Sequence, residues 1–317
     1  MTYREADLAR LRTVPVSGRR NKVDPGLLAS PPGDDRSFAA FLESLPDVLG
    51  ARDLRAVIRG VASAARSKRG VVLLVGGHVV KVGLGPSINA WIAHGLVSHL
   101  ALNGAAAIHD YELAAFGGTS EDVESGLGDG TFGMAEETGA QMNRAIVAAA
   151  GAGRGMGEGL AAALAAEGAL PGAEASILLA AHRAGVPVTV HPAIGAEIIH
   201  QHPAADGAAL GDTSHRDFRR LAGSLPDLDQ GGAVLNLGSA VVLPEVFLKA
   251  LTIARNLNAG RPTHFLAADL DMQRHYRPRV NVVQRPTRAG GEGYLLTGQH
   301  EVLIPLLVWG VLEELGV

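Results

Sequence analysis

Apolar residues recur at spacings of three and four over Phe38, Phe41, Leu42 and Leu45, and again over Leu54, Val57, Ile58, Val61 and Ala64, which predicts two short amphipathic helices. Short apolar runs bounded by Gly, Pro or polar residues follow at Val71–Val75, Val97–Leu102, Val186–Val190 and Ala233–Leu237, and these read as strands, with a fifth at Thr263–Ala267. Helical patterns separate them at Ser87–His94, Glu136–Ala150, Leu160–Ala166, Glu174–Ala184, Ser214–Ala222 and Pro244–Asn256. Such alternation predicts an α/β fold, a Rossmann-like parallel sheet with helices on both faces, whose ligands bind beyond the carboxyl ends of the strands. The segment from Gly77 to Gly85, an apolar helix-like stretch and the segment from Leu100 to Asp110 together read as strand, glycine turn, helix and second strand. That second strand ends in small residues followed by polar ones, where a cofactor can approach bare backbone.

Residues 1–36, with Pro15, Arg19, Arg20, Pro25, Pro31, Pro32, Asp34 and Asp35, lack periodicity and read as an extended arm, leaving 37–317 as one α/β domain. Composition narrows the partners. The 28 Lys and Arg against 32 Asp and Glu give a net charge of −4 with no long basic block, which argues against nucleic acid and for a small-molecule substrate. With no cysteine there is no disulfide, thiolate metal site or thiol nucleophile, in keeping with a cytoplasmic protein. No apolar run approaches the ~18 residues of a membrane span, and the charged start shows no secretory h-region. Glycine, at 41 of 317 residues, is nearly twice the usual share of about 7%, so backbone must pass close to backbone or to a ligand at many points.

Three groups of residues could carry chemistry. His200 and His202 with Glu197, after the strand Val186–Val190, could ligate a metal in a hydrolase or lyase, or one imidazole could move protons near neutral pH. His109 and Asp110 follow the strand Val97–Leu102, where an acid can accept hydrogen bonds from a ribose or an amine and a histidine can carry a proton, although Asp110 could equally cap a helix starting near Tyr111. The polar run Asp269, Asp271, Gln273, Arg274, His275, Tyr276, Arg277 and Arg279 offers guanidinium forks suited to a carboxylate or phosphate. Lys81, one of only four lysines, lies near the first glycine turn. A formal G-x-G-x-x-G at Gly128–Gly133 follows acidic residues and no strand, so it reads as a turn into the helix Glu136–Ala150; no phosphate-binding loop of the G-x-x-x-x-G-K-[ST] type occurs.

From about residue 70 onward the order and spacing of these segments resemble the deoxyhypusine synthase family: the glycine loop before Ser87–His94, Asn103-Gly104-Ala105-Ala106 with Asp110, Val186-Pro187-Val188 followed by Pro192-Ala193, Leu235-Asn236-Leu237-Gly238-Ser239-Ala240, and the closing Leu303-Ile304-Pro305-Leu306-Leu307. The resemblance implies a Rossmann-like subunit, NAD at the strand ends, and a homotetramer with active sites between subunits. It places Asn103, Gly104 and Ala105 on the family's cofactor turn, Asp110 on its acidic residue, and Gly238 and Ser239 on its triple-glycine turn. The family's imine-forming lysine, in a Trp-Gly-Lys sequence after an Arg-Pro pair, has no counterpart: Arg277-Pro278 is followed by Arg279 to Pro286, and a guanidinium forms no Schiff base. The expectation is therefore an NAD-dependent transferase or lyase of different substrate, with His109, His200 and Arg277 as its catalytic residues. A cofactor-binding protein without catalysis is the remaining alternative.

Overall fold

The computed structural model describes residues 3–317; the first two residues of the stretch read as an arm lie outside it. None of residues 3–36 is buried, and only three short 3-10 turns interrupt their extended course.

Helices α1 (Phe38–Ser44) and α2 (Leu49–Arg66) lead into β1 (Val71–Val75), followed by α3 (Gly77–Lys81), α4 (Gly85–Ala93) and β2 (His99–Asn103). Next come α5 (Gly104–Phe116), α6 (Val123–Asp129), α7 (Glu136–Gly151), α8 (Met156–Ala166), α9 (Ile177–Ala184) and β3 (Val188–His191). The chain closes through α10 (Gly207–Ser224), β4 (Ala233–Leu237), α11 (Val242–Leu257), β5 (Leu266–Asp271), a π-helical turn at Pro278–Gln284, β6 (Glu292–Thr297) and α12 (His300–Leu315).

The strands form one sheet in the order β3-β2-β1-β4-β5-β6, and every neighbouring pair is parallel. Its two faces are buried by different helices. Val71, Leu73 and Val75 belong to a core built with α2, α4, α5, α9 and α12, whereas Val72 and Leu74 pack with Leu221 of α10, Phe247 of α11 and Val282. Both faces of β1 are thus covered, which is why its sequence is an unbroken apolar run. The fold is Rossmann-like α/β.

Two expectations change. The segment opening at Gly77 is no strand: β1 ends at Val75 and Gly77–Lys81 coils at once into α3. An ideal Cβ on Gly76 would lie 2.1 Å from the Gly238 carbonyl oxygen, so only glycine lets the ends of β1 and β4 meet. Likewise α5 starts at Gly104 rather than near Tyr111, because the Asn103 side chain accepts from the Ala106 N–H and caps it. The edge strand β6 has no counterpart among the expected strands. Its run Glu292-Gly-Tyr-Leu-Leu-Thr is largely exposed and carries only two aliphatic residues.

Candidate active site

Strand order proceeds outward from β1 to β3 on one side and from β4 to β6 on the other, so it reverses between β1 and β4. In open α/β sheets the crevice beyond the carboxyl ends at such a reversal is the ligand site. Here that edge is formed by Gly76, Gly77 and His78 after β1, Asn103 and Gly104 after β2, and Gly238 and Ser239 after β4. Gly238 has a φ of +67°, and the His300 ring lies directly over it. His300 is buried, its Nδ1 stands 3.0 Å from His78 Nδ1, and its Nε2 has no hydrogen-bond partner among the described residues.

Beside this crevice lies a cavity of about 250 Å³ between α3, α5 and the loops before α6 and after β3, lined by Lys81, Ala105, His109, Glu112, Phe132 and Glu197 among others. The segment 117–135, which includes α6, forms one wall, tied down where the Gly133 N–H donates to Glu121 Oε1. His109 and Glu112 stand one turn apart on α5 and share Thr119. The Thr119 hydroxyl donates to Glu112 Oε2 at 2.5 Å, while the other Glu112 oxygen accepts from Thr138 Oγ1 at 2.9 Å. A hydroxyl has one proton, and here it is committed to the carboxylate. The 2.8 Å contact between His109 Nδ1 and Thr119 Oγ1 therefore requires Nδ1–H to donate, which leaves Nε2 as the ring's bare lone pair. Burial, aided by Lys81 and opposed by Glu112, lowers the affinity of His109 for a second proton below the ordinary imidazole value, so the ring is a neutral proton acceptor at neutral pH.

Glu197 closes the cavity from the other strand end. Both its oxygens accept from the Ala193 N–H, at 2.9 and 3.1 Å, and an ideal Cβ on Gly104 would come within 2.5 Å of its carboxyl. The carboxyl thus rests on the first turn of α5, where the Gly104 and Ala105 N–H groups have no intrahelical acceptor. Burial nonetheless pushes it up to about 7. His200 Nδ1 lies 3.2 Å from Glu197 Oε2 and also accepts from the Gly195 N–H at 3.2 Å. Because burial holds His200 below its ordinary value and its Nδ1 accepts from the Gly195 N–H, the partner of the Glu197 carboxyl at neutral pH is a neutral imidazole. His202 turns away, its Nε2 3.5 Å from Glu136 Oε2. The proposed metal triad of His200, His202 and Glu197 therefore does not converge, and among the described residues no three His, Cys, Asp or Glu side chains form a metal-holding group.

The other expected site residues divide. His109 and Ala105 line the cavity, Gly104 borders it, and His200 stands behind Glu197. Asn103 lies at the edge, but its side-chain oxygen is committed to capping α5. Ser239 is buried, and its hydroxyl accepts from the Leu243 N–H at the start of α11. Asp110 is fully buried inside α5 and accepts from Ser176 Oγ, the Ile177 N–H and the Leu178 N–H at 2.6, 2.8 and 3.0 Å, so it caps α9 rather than facing a ligand. Arg277 is exposed and pairs with Glu245 of α11 at 3.4 Å, away from His109. Asp269 and Asp271 belong to β5 itself, and Asp269 is buried against Asn236 Nδ2 at 2.8 Å. Glu112 and Thr119 are absent from the sequence reading. The i, i+3 spacing of His109 and Glu112 on one helix was the available signal for the carboxylate, and nothing local marks Thr119.

No protein-family model matches the chain, and no curated protein matches it. Solved structures do. The "conserved putative LOR/SDH protein" of Methanococcus maripaludis S2 superposes with a TM-score of 0.51 at 13% identity, covering 86% of this chain and 72% of that one. AgrE, in a ternary complex with ornithine and NAD+, superposes with a TM-score of 0.50 at 14% identity over 85% of this chain, which corresponds to only 34% of AgrE. A "putative deoxyhypusine synthase" from Entamoeba histolytica reaches 0.48 at 9% identity, too loose a match to bear on the resemblance read from the motifs. At these identities the likeness is one of fold.

Proposed function

We propose that this protein is an NAD-dependent enzyme that holds the dinucleotide along the carboxyl edge of the sheet and works on a small molecule seated in the cavity beside His109. The observation that carries this reading is the sheet order: a parallel sheet reversing between β1 and β4 has its ligand crevice beyond the carboxyl ends of those strands, at the edge formed by Gly77, Gly104 and Gly238, and the cavity adjoins that edge. AgrE, which shares the fold over a third of its length, was solved with NAD+ bound.

The residues present fit such a group in two respects: a helix, α5, whose N-terminus opens directly from the end of β2, and a buried imidazole nitrogen, His300 Nε2, lacking a partner over Gly238 among the described residues. They depart from the familiar dinucleotide fingerprint in two. No G-x-G-x-x-G follows β1, and the residue ending β2 is Asn103, whose oxygen is already bonded. When bound, NAD would supply hydride acceptance and return. The chain's own residues supply the proton chemistry and orientation. His109 Nε2 takes a proton from the substrate's hydroxyl or amine, with Thr119 and Glu112 fixing the ring, and Lys81 attracts an anionic group. Glu197, close to half-protonated at neutral pH, lines the same cavity and can return a proton at a second position.

Calorimetric titration of NAD+ into the purified full-length protein, with mass spectrometry of any nucleotide released on denaturation, tests the reading. Saturable binding or copurified NAD is expected. Absence of both at millimolar NAD+ would overturn it.

A further inference from the structure

An apolar stripe runs along the outer side of α12 through Val302, Pro305, Leu306 and Trp309, with the Phe38 ring of α1 tilted against the Trp309 ring at 6.0 Å between centroids. Trp309 is 63% exposed and Val302 58%, and together with Phe38 and Glu301 they border an open groove of about 440 Å³. The inner side of the same helix is buried through Ile304, Leu307, Val308 and Val311, so between Val302 and Leu312 α12 is apolar on both sides and only its inner side is covered within one chain. Large contiguous apolar patches of this kind mark interaction surfaces.

The amino-terminal arm has the complementary defect. Tyr3, Leu8, Leu11, Val14, Val16 and Val23 are each 55–88% exposed on a segment that buries nothing. Its charge also matches. Between Arg4 and Lys22 the arm carries six cations and two acids, whereas the one charged residue bordering the groove is Glu301. Position favours the contact as well, because the root of the arm is pinned beside α1: the Ser30 N–H donates to the Ser44 carbonyl and the Asp47 N–H to the Leu27 carbonyl.

We infer that the arm of one copy lies along the α1–α12 groove of a second copy, reciprocally, so that a pair of chains closes on itself. Within a single chain both surfaces remain uncovered although the arm is rooted next to the groove; a second copy supplies each with its partner. Taking roughly 60–120 Å² of apolar surface for each large side chain, two arms bring roughly 700–1,400 Å² to the contact, and the covered grooves add a comparable area. That reaches the ~1,200–2,000 Å² typical of specific interfaces. A reciprocal exchange is isologous, which makes the dimer or an even multiple of it the expected assembly.

The chain has no cysteine, so introduced thiols report the contact without background. Leu11→Cys chains bearing one tag are mixed with Val302→Cys chains bearing another and oxidised, while light scattering gives the mass of the unmodified protein. The expected results are a disulfide-linked product containing both tags and a wild-type mass of an even multiple of 32.7 kDa. Trp309→Glu should lower that mass by half with an unchanged circular dichroism spectrum, and Val302→Lys serves if that variant does not fold. A monomeric wild type or the absence of the mixed disulfide would each overturn the inference.

Discussion

Removing the Asp110 carboxylate separates a structural role from a cofactor role. Asp110→Ala would leave three buried donors without an acceptor: Ser176 Oγ–H and the N–H groups of Ile177 and Leu178 in the first turn of α9. An orphaned buried donor costs about 1–3 kcal/mol each. Against this stands the cost of ionising a buried acid, which pushes Asp110 up to about 6 from the ordinary 3.8 and amounts to about 3 kcal/mol. Three such donors together cost about 3–9 kcal/mol, so the net loss at pH 7 should be about 0–6 kcal/mol, read as a lower urea midpoint at unchanged slope. The sign of the pH dependence follows. A pKa raised in the folded state contributes stability that is present in full below the unfolded value and is lost as pH rises through about 6. The gap between wild type and variant should therefore widen as pH falls from 7 toward 4, by up to about 3 kcal/mol. A loss below about 1 kcal/mol at pH 4, or a gap that narrows on acidification, would refute the structural assignment. If such a variant also lost NAD affinity, Asp110 would belong to the cofactor site.

Two further outcomes are expected. Nitrogen-15 NMR at neutral pH should find His109 in the Nδ1–H tautomer with a pKa below 6.5, and Thr119→Val should weaken that preference; a dominant Nε2–H form in the wild type would remove its role as proton acceptor. Gly76→Ala, which drives a Cβ to 2.1 Å from the Gly238 carbonyl oxygen, should destabilise the β1–β4 junction by about 3 kcal/mol or more and lower the melting temperature accordingly; an unchanged melting temperature would contradict the close approach.

The fold class, the β1 and β4 boundaries and most helices were legible along the chain because they rest on local periodicity: a run such as Val71–Val75 is apolar throughout only if both faces of its strand are covered. Strand order was not legible, since the reversal between β1 and β4 depends on which crossovers pack where, and β6 escaped because an exposed edge strand needs no apolar alternation. The candidate site divides along the same line. The residue types at His109, Gly104, Glu197 and His200 stand out in sequence because they follow strand ends. Which partners each one has is decided by contacts between distant segments. Asp110 is consumed by Ser176 and the start of α9, Arg277 by Glu245, and His202 by Glu136, whereas Thr119, ten residues beyond His109, fixes that ring's proton. A side chain's chemistry is inherited from its sequence, but its protonation, tautomer and free valence depend on the atoms that tertiary packing brings within about 3 Å.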